Sequence, residues 1–257
     1  MTSRSKIVAH RGASFEAPEN TLAALRLGFA EGADAGECDI RLTRDGHAVL
    51  LHDASTRRTA DRDLVAATST LAELCALDAG AWKAPRWAGE KIPTLAEALA
   101  IVPAGRRLLV EIKSGVEILP AVAAALTAHA AATNAPGAGA GAVVLMSFDR
   151  AVTAEAKRRL PAVEVWQITE WRRGLALADL IDEALAAGLD GLDLDARFPL
   201  DAAEVARVHA AGLRLGVWTV DDPALACRLA AVGVDAITTN RPGWLRARMA
   251  GAGAGTE

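Results

Sequence analysis

The sequence predicts an α/β fold of the TIM-barrel class, a closed (β/α)8 barrel made by one domain. The chain has 257 residues, and one such barrel takes about 250 residues. Hydrophobic residues make up 52% of the composition, which is enough for a large core. Short β-type runs alternate with amphipathic stretches rich in Ala and Leu, a pattern typical of βα units around a parallel sheet.

Eight strands are predicted, and several are continuous apolar runs such as AVVLM, which are typical of strands covered on both faces. The predicted strands span residues 6–10, 36–42, 107–113, 142–148, 164–168, 191–195, 214–219 and 236–239. This number of strand-helix alternations favours a closed barrel over an open doubly wound sheet.

The predicted helices have recognisable starts and ends. The first opens at the step between Pro18 and Asn20 and ends at Gly32. Thr70 and Thr94 each begin a TLAE sequence that fits a capping box, and each therefore predicts a helix start. Further helices are predicted at residues 119–132, 150–159, 175–187, 201–211, 222–231 and 242–249.

The alternation breaks once, between His52 and the helix at Thr94. So long a connection predicts an insertion after the second strand, at about residues 53–93, that has a functional or lid role. We predict a single barrel domain over residues 1–249 and a flexible tail at 250–257. The stretch NAPGAGAGA at 134–142 predicts a flexible loop at the bottom of the barrel.

Charge and composition exclude several classes of protein. The net charge is −4, which does not indicate a surface for nucleic acid or an anionic membrane. The N-terminal stretch MTSRSKIVAHRG lacks the apolar segment of a signal peptide, and no run reaches the roughly 18 apolar residues that span a bilayer. We therefore expect a cytoplasmic protein without a membrane anchor. The scattered Cys38, Cys75 and Cys227 indicate neither disulfides nor a thiolate metal site and are expected to be buried.

Residues with reactive side chains gather where the predicted strands end. In a parallel barrel the carboxyl ends of the strands carry the reactive groups, because the following loops are not needed for the scaffold. These strand ends, with the strand-like stretch HAVLLHD after the second strand, supply His10 and Arg11, Glu37 and Asp39, His52 and Asp53, Glu111 and Lys113, and Trp218.

Three of these residues are carboxylates in otherwise apolar strands. Glu37 and Asp39 point to the same face because strand side chains alternate. If Glu111 converges on them, the three would repel one another unless a divalent ion lay between them. Oxygen ligands favour Mg²⁺ or Ca²⁺ over zinc. The alternative is that the carboxylates form structural ion pairs with Arg11, Lys113 and Arg41.

The two histidines form a second group. A pair of imidazoles suits phosphodiester cleavage, because one can deprotonate the attacking oxygen while the other protonates the leaving oxygen. The alternative is that His10 and His52 are hydrogen-bonded polar residues without a catalytic role. Arg11 and Lys113 would supply positive charge for phosphate oxygens.

Several motifs occur in one order between about residue 7 and residue 243. They are AHRGASFEAPENTLAAL, ECDIRLTRDGHAVLLHD, TLAELCALDAGAW, GEKIPTLAEAL, VEIK, HAAGLRLGVWTVDD and GVDAITTNRPG. In this order they resemble the glycerophosphodiester phosphodiesterase family. One departure follows the HD pair, where ASTRRTADRDL lacks a glycine that the family has in its turn.

The resemblance implies a TIM barrel with an insertion after the second strand. It also implies hydrolysis of glycerophosphodiesters to glycerol 3-phosphate and an alcohol with one divalent cation, Mg²⁺ or Ca²⁺, with Mn²⁺ as an alternative. The attacking oxygen would come from water or from the glycerol 2-hydroxyl. The expected partner is this small-molecule substrate and not a nucleic acid, and the expected state is a monomer or homodimer. The rival functions are a phospholipase D-like hydrolase of lysophospholipids or related lipids, and a non-catalytic barrel that binds a phosphate ligand.

The resemblance also implies a role for each site residue. It implies His10 and His52 as general acid and base, Glu37, Asp39 and Glu111 as metal ligands, and Arg11, Lys113 and Trp218 as substrate-binding residues. Glu19, Asn20 and Asp53 match the family as supporting residues. For Glu19 and Asn20 the alternative is a plain helix start, and for Asp53 it is the beginning of the insertion.

Overall fold

Eight parallel strands close into a barrel in the computed structural model, which describes residues 4–133 and 142–253. The strands run in the order β1-β9-β8-β7-β6-β5-β4-β2, and the pairing of β1 with β2 closes the ring. The strands are β1 (Lys6–Ala9), β2 (Ala35–Leu42), β3 (Ala48–Leu50), β4 (Arg107–Ile112), β5 (Val143–Ser147), β6 (Glu164–Thr169), β7 (Gly191–Asp195), β8 (Arg214–Trp218) and β9 (Ala236–Thr239). The predicted fold class is therefore confirmed.

Helices follow the strands on the outside of the ring. They are α1 (Leu22–Ala30), α2 (Leu71–Cys75), α3 (Leu95–Ala100), α4 (Leu119–Thr133), α5 (Arg150–Arg159), α6 (Leu177–Ala186), α7 (Ala202–Ala210), α8 (Pro223–Val232) and α9 (Pro242–Gly253). Thr70 and Thr94 cap α2 and α3 in complete capping boxes, as the sequence predicted. Within the described residues, no helix combines the length and apolar character needed to cross a bilayer.

The short strand β3 is additional to the eight predicted strands. It comes from the stretch HAVLLHD and pairs antiparallel with the far half of β2, with Arg41 opposite Val49. The near half of β2 pairs with β1, where Val8 lies opposite Ala35. The hairpin thus occupies the part of the β2 edge that β1 leaves open, and it delivers His52 to the mouth of the barrel.

Side-chain alternation along the strands separates two layers of core. In β4, Leu108 and Val110 point outward into the large core beneath the helices, whereas Leu109 points into the barrel. Trp166 fills much of the interior next to Gly191, where a Cβ would lie 2.7 Å from the indole ring. Trp166 therefore separates the carboxyl end of the barrel interior from its amino-terminal end, and in such barrels the reactive groups lie at the carboxyl end.

The insertion after the second strand packs on its own small core and on the loop between β1 and α1. Its core contains Val49, Leu51, Leu74, Leu77 and Ile92 with neighbouring small side chains. Three side chains of the insertion then donate hydrogen bonds to backbone carbonyls of the loop, Lys83 to Ser14 and both Arg86 and Trp87 to Glu16. The insertion is therefore anchored beside the loop that follows β1.

Some predicted boundaries differ from the structure. Helix α1 is capped by Thr21 and begins after it, not at the Asn20 step. Helix α9 continues to Gly253, past the predicted end at 249, and residues 254–257 of the predicted tail lie outside the described residues. The predicted loop at 134–142 also falls outside them except for its last residue. Cys38 is buried as expected, but Cys75 and Cys227 are only half-buried, and all three thiols are free.

Two glycines with positive φ provide a matched test of crowding behind β1. Gly12 has φ +80° and a Cβ there would overlap the backbone carbonyl of Ala24, whereas Gly46 has φ +84° and open space around it. An Ala in the left-handed backbone conformation destabilises the folded protein by about 1–2 kcal/mol at either position. We expect Gly12→Ala to lose at least about 2 kcal/mol more than Gly46→Ala in urea unfolding, because a rigid backbone blocks the new methyl group. Equal losses would contradict the close packing of α1 on this turn.

Candidate active site

The carboxyl ends of the strands enclose a cavity of about 160 Å³. All the predicted catalytic and substrate-binding residues line it, together with two of the three predicted metal ligands. The lining residues are His10, Arg11, Glu37, His52, Glu111, Lys113, Met146, Phe148, Ile168, Asp193, Trp218, Thr219 and Thr238. Asp39 lies just behind the wall and is 1% exposed.

Glu37, Asp39 and Glu111 converge as the strand pattern predicted. Each offers one oxygen that lies within 4.8 Å of the corresponding oxygens of the other two. The register of the sheet explains this, because Asp39 on β2 lies directly opposite Glu111 on β4. Glu37 is two residues earlier on β2 and so points to the same face.

Burial is the main influence on these carboxyl groups. It raises the pKa of Glu37 well above its usual range, and the like charges of Asp39 and Glu111 add to this. Burial and the charge of Asp39 raise the pKa of Glu111 to about 7. Burial also opposes ionisation of Asp39, but Arg11 and Lys113 outweigh it and lower the pKa of that carboxyl. The cluster therefore favours bound protons or an added cation.

The donor set fits a hard divalent cation. All three groups offer oxygen, the ligand atom that Mg²⁺ and Ca²⁺ prefer. Glu37 Oε1 is buried and has no hydrogen-bond partner within the described part of the chain. Such an unpaired buried atom is costly. A divalent ion between the three carboxylates would give Glu37 Oε1 a partner and remove the like-charge repulsion.

Two cations flank the carboxylates. Arg11 Nε lies 3.1 Å from Asp39 Oδ2, and the Arg11 backbone N–H donates a 2.7 Å hydrogen bond to Glu37 Oε2. Lys113 Nζ lies 3.3 Å from Asp39 Oδ1 and also contacts Glu111 Oε1. The ion pairs considered as an alternative to a metal site are thus present for Arg11 and Lys113.

Arg41 was the third cation considered for these ion pairs, and its side chain points elsewhere. It donates hydrogen bonds to the backbone carbonyls of His52 and Lys113. The alternative in which it pairs with the carboxylates does not hold for Arg41, because its position late in β2 places it beside the β3 hairpin. It holds the chain that carries His52 against the end of β4.

Glu19 and Asn20 both contact residues of the cavity or the carboxylate cluster, and neither caps the helix that follows. Asn20 Nδ2 donates to Asp39 Oδ2 at 2.8 Å, and Asn20 Oδ1 accepts from the Asp39 backbone N–H at 3.0 Å. Asn20 has φ +57°, a left-handed conformation that turns its amide toward β2. Glu19 Oε1 accepts hydrogen bonds from Arg11 at 2.9 Å and from Arg58 at 2.8 Å. The role of a plain helix start falls to Thr21 instead.

Hydrogen bonds that run from His10 through Asn240 to Asp221 orient the His10 ring. Its Nδ1 lies 2.7 Å from Asn240 Oδ1, and Asn240 Nδ2 donates to Asp221 Oδ2 at 2.6 Å. Because the amide N–H group is committed to a carboxylate, Asn240 Oδ1 must accept, so the network assigns the His10 proton to Nδ1 and leaves a lone pair on Nε2. Burial and the charge of Arg11 lower the pKa of His10.

His52 has a carboxylate partner. Its Nδ1 lies 2.7 Å from Asp53 Oδ1, the contact that an orienting role for Asp53 requires. Arg58 Nε donates to Asp53 Oδ2 at 2.8 Å. Burial lowers the pKa of His52, and the negative charges of Asp39 and Asp53 oppose that shift.

The opposite wall of the cavity is mostly apolar. Trp218 packs edge to face with Phe148 at a centroid distance of 5.4 Å. Trp218 Nε1 donates to the backbone carbonyl of Asp193 at 3.1 Å, which sets the direction of the ring. Met146 and Ile168 complete this side.

Sequence reasoning missed four charged or amide residues of the site, Arg58, Asp193, Asp221 and Asn240, as well as the lining residues Met146, Phe148, Ile168, Thr219 and Thr238. Asp221 and Asn240 lie inside the stretches WTVDD and TTNRPG, so the motifs contained them, but no local pattern indicates that Asn240 reaches His10. The alternation in GLDLD, inside a buried strand, was an available signal for Asp193. Arg58 lies in the stretch that departs from the family pattern.

A larger cavity, of about 340 Å³, lies at the amino-terminal end of the strands. Its charged walls are tied into ion pairs, such as those of Arg106 with Asp34 and Arg107 with Glu164. None of the predicted site residues lines it. The smaller cavity is therefore the candidate active site, since this is the end at which such barrels carry reactive groups.

The chain is similar to known proteins over most of its length. Residues 10–244 match the model of the glycerophosphoryl diester phosphodiesterase family. The glycerophosphodiester phosphodiesterase of Caldanaerobacter subterraneus subsp. tengcongensis is 30% identical over 242 residues, which cover 93% of this chain and 95% of that protein. Among solved structures, an Oleispira antarctica phosphodiesterase in complex with the product sn-glycerol-3-phosphate is 29% identical, with a TM-score of 0.85 over 96% of this chain and 97% of that one.

The raised pKa of Glu111 predicts a pH-dependent loss of stability in chelator. A carboxyl group that has a pKa of about 7 when folded and about 4.3 when unfolded keeps its proton longer in the folded state, so stability falls as pH rises between these values. We expect Glu111→Gln to gain about 2–3 kcal/mol relative to wild type between pH 5 and pH 8 in urea unfolding. The exposed control Glu16→Gln should track wild type. If the free energy of unfolding changed with pH in the same way for Glu111→Gln and wild type, the pKa of Glu111 would not be raised.

Proposed function

The chain belongs to the glycerophosphoryl diester phosphodiesterase family, a family of phosphodiester hydrolases, and we propose that it hydrolyses glycerophosphodiesters to sn-glycerol 3-phosphate and an alcohol with one divalent cation. The observation that carries the proposal is the single pocket at which two histidines, two cationic side chains and the carboxylate cluster meet. Phosphodiester cleavage needs charge neutralisation and two proton transfers, and these are the groups that perform them.

Glu37, Asp39 and Glu111 would hold the cation, as Mg²⁺, Ca²⁺ or Mn²⁺, which when bound neutralises charge on the phosphodiester as a Lewis acid. Arg11 and Lys113 would bind phosphate oxygens beside it. Both side chains line the pocket, and their contacts with carboxylates hold them in place before substrate arrives. The planar guanidinium group of Arg11 can donate hydrogen bonds to two phosphate oxygens at once.

His10 is assigned the role of general base. Its Nδ1–H is committed to Asn240, so Nε2 is the nitrogen that can take a proton. Burial and Arg11 lower the pKa of the ring and keep it neutral, which is the form a base requires. The attacking oxygen belongs to water or to the glycerol 2-hydroxyl, and the same nitrogen serves either.

His52 is assigned the role of general acid. Burial opposes ionisation of Asp53, but hydrogen bonds from Arg58 and His52 lower its pKa to about 2, so a full negative charge lies against His52 Nδ1. That charge stabilises the imidazolium form, and a bound phosphate anion adds to the effect. The proton on Nε2 would then go to the departing alkoxide.

The two assignments are tested by the choice of leaving group. His52→Ala should lose about 10²- to 10⁴-fold in kcat on glycerophosphocholine but at most about 10-fold on a p-nitrophenyl ester of glycerophosphate, because nitrophenolate leaves without a proton. His10→Ala should lose about 10²- to 10⁴-fold on both. The reverse pattern would exchange the two roles. Near-normal turnover of glycerophosphocholine by both variants would rule out two-histidine catalysis.

The activity and its cation are tested together. Wild-type protein should release sn-glycerol 3-phosphate from at least one of glycerophosphocholine, -ethanolamine, -glycerol and -inositol with Mg²⁺, Ca²⁺ or Mn²⁺, and should stop on chelation. The melting temperature should rise by about 5–10 °C at a cation concentration of about 100 Kd, and this rise should vanish in Glu37→Gln but not in Glu16→Gln. An equal rise in all three proteins would show that the ion binds elsewhere.

A further inference from the structure

Asp193 is a buried carboxyl group in the active-site pocket that the mechanism above does not use. It lies in the middle of β7, is 3% exposed, and lines the cavity. Its Oδ1 atom has no hydrogen-bond partner in the part of the chain that the structure describes, and no cation there forms an ion pair with it. A buried polar atom in this state costs stability, so the contacts within the chain give this carboxyl group no structural reason to be there.

The surroundings of Asp193 are shaped around its carboxyl group. Gly216 on the neighbouring strand lies so close that a Cβ there would overlap Asp193 Oδ1 and would lie 2.9 Å from the Trp166 ring. The backbone carbonyl of Asp193 holds Trp218 Nε1. The carboxyl group therefore has room beside Gly216, between Trp166 in the barrel interior and Trp218 at its mouth.

The pocket is divided into two halves. Strands β1, β2 and β4 and the β3 hairpin contribute the charged half, which would hold the phosphate. Met146, Phe148, Ile168 and Trp218 form the other half, and Asp193 is the acidic side chain among them. A substrate whose phosphate lies in the charged half must extend a short carbon segment into this second half.

We propose that Asp193 determines specificity for the glycerol moiety by forming a hydrogen bond with a glycerol hydroxyl group of the substrate. This inference rests on the proposed function. A neutral hydroxyl suits the site better than a cationic head group, since burying a full charge in an apolar enclosure is costly and Lys113 Nζ already lies 5.4 Å above the Phe148 ring. A carboxyl oxygen accepts a hydrogen bond from a hydroxyl in either protonation state.

The test compares two ligands with the same carbon skeleton. Inhibition constants, with dissociation constants from calorimetry, are measured for sn-glycerol 3-phosphate and for propyl phosphate, which lacks both hydroxyls, on the cation-loaded protein. In Asp193→Leu we expect binding of sn-glycerol 3-phosphate to weaken about 10- to 100-fold while binding of propyl phosphate stays within about 3-fold of wild type. The near-isosteric Asp193→Asn keeps a hydrogen-bonding oxygen and should retain most of the discrimination between the two ligands.

Stability separates this role from a structural one. Replacing an unpartnered buried carboxyl by Leu of similar shape should leave the melting temperature unchanged or higher. Equal weakening of both ligands, no weakening of either, or a fall of more than about 10 °C in melting temperature for Asp193→Leu would overturn the assignment. If wild-type protein cleaves no glycerophosphodiester, the proposed function fails, whereas normal cleavage with an unchanged ligand preference in Asp193→Leu defeats this inference alone.

Discussion

Three carboxyl groups crowded into the mouth of one barrel are the constraint to which the surrounding structure responds. Glu37, Asp39 and Glu111 are buried on neighbouring strands with their oxygens within 4.8 Å. Like charges this close in a poorly solvated place are unfavourable. The chain offsets this with Arg11 and Lys113 and, by raising the pKa of Glu37 and Glu111, with protons. A divalent cation would replace those protons at the ordinary pH of a cell.

The loop after β1 is folded around the same constraint. Arg11 and Asn20 both adopt left-handed backbone conformations, with φ +55° and +57°, which L side chains rarely adopt. In these conformations the Arg11 backbone N–H donates to Glu37 and the Arg11 guanidinium pairs with Asp39. Asn20 donates a hydrogen bond to Asp39 as well. The two unfavourable backbone conformations thus hold the carboxylates in place. The insertion, anchored to the same loop through Lys83, supports this arrangement from outside.

Residues on the strands were predictable from sequence, and residues that reach across the closed barrel were not. Charged residues in apolar strands single out Glu37, Asp39 and Glu111 without any structure, and strand parity places Glu37 and Asp39 on one face. Glu111 joins them because the register of the sheet sets it opposite Asp39. Asn240 reaches His10 only because β9 pairs with β1, a contact between residues 230 apart in the chain. Asn20 was left undecided for a similar reason. A turn sequence that suits a helix start says nothing about which side chain turns back toward β2.

We propose that the carboxylate cluster holds a cation at the floor of a phosphodiester site. The most direct measurement is an anomalous-difference map from crystals grown with Mn²⁺ and sn-glycerol 3-phosphate. We expect one strong peak within about 2.0–2.6 Å of oxygens from Glu37, Asp39 and Glu111. We also expect the phosphate of the ligand beside that ion and between Arg11 and Lys113. A ligand bound in the cavity with no peak among the three carboxylates, or with the ion held by other residues, would show that the cluster is not the cation site.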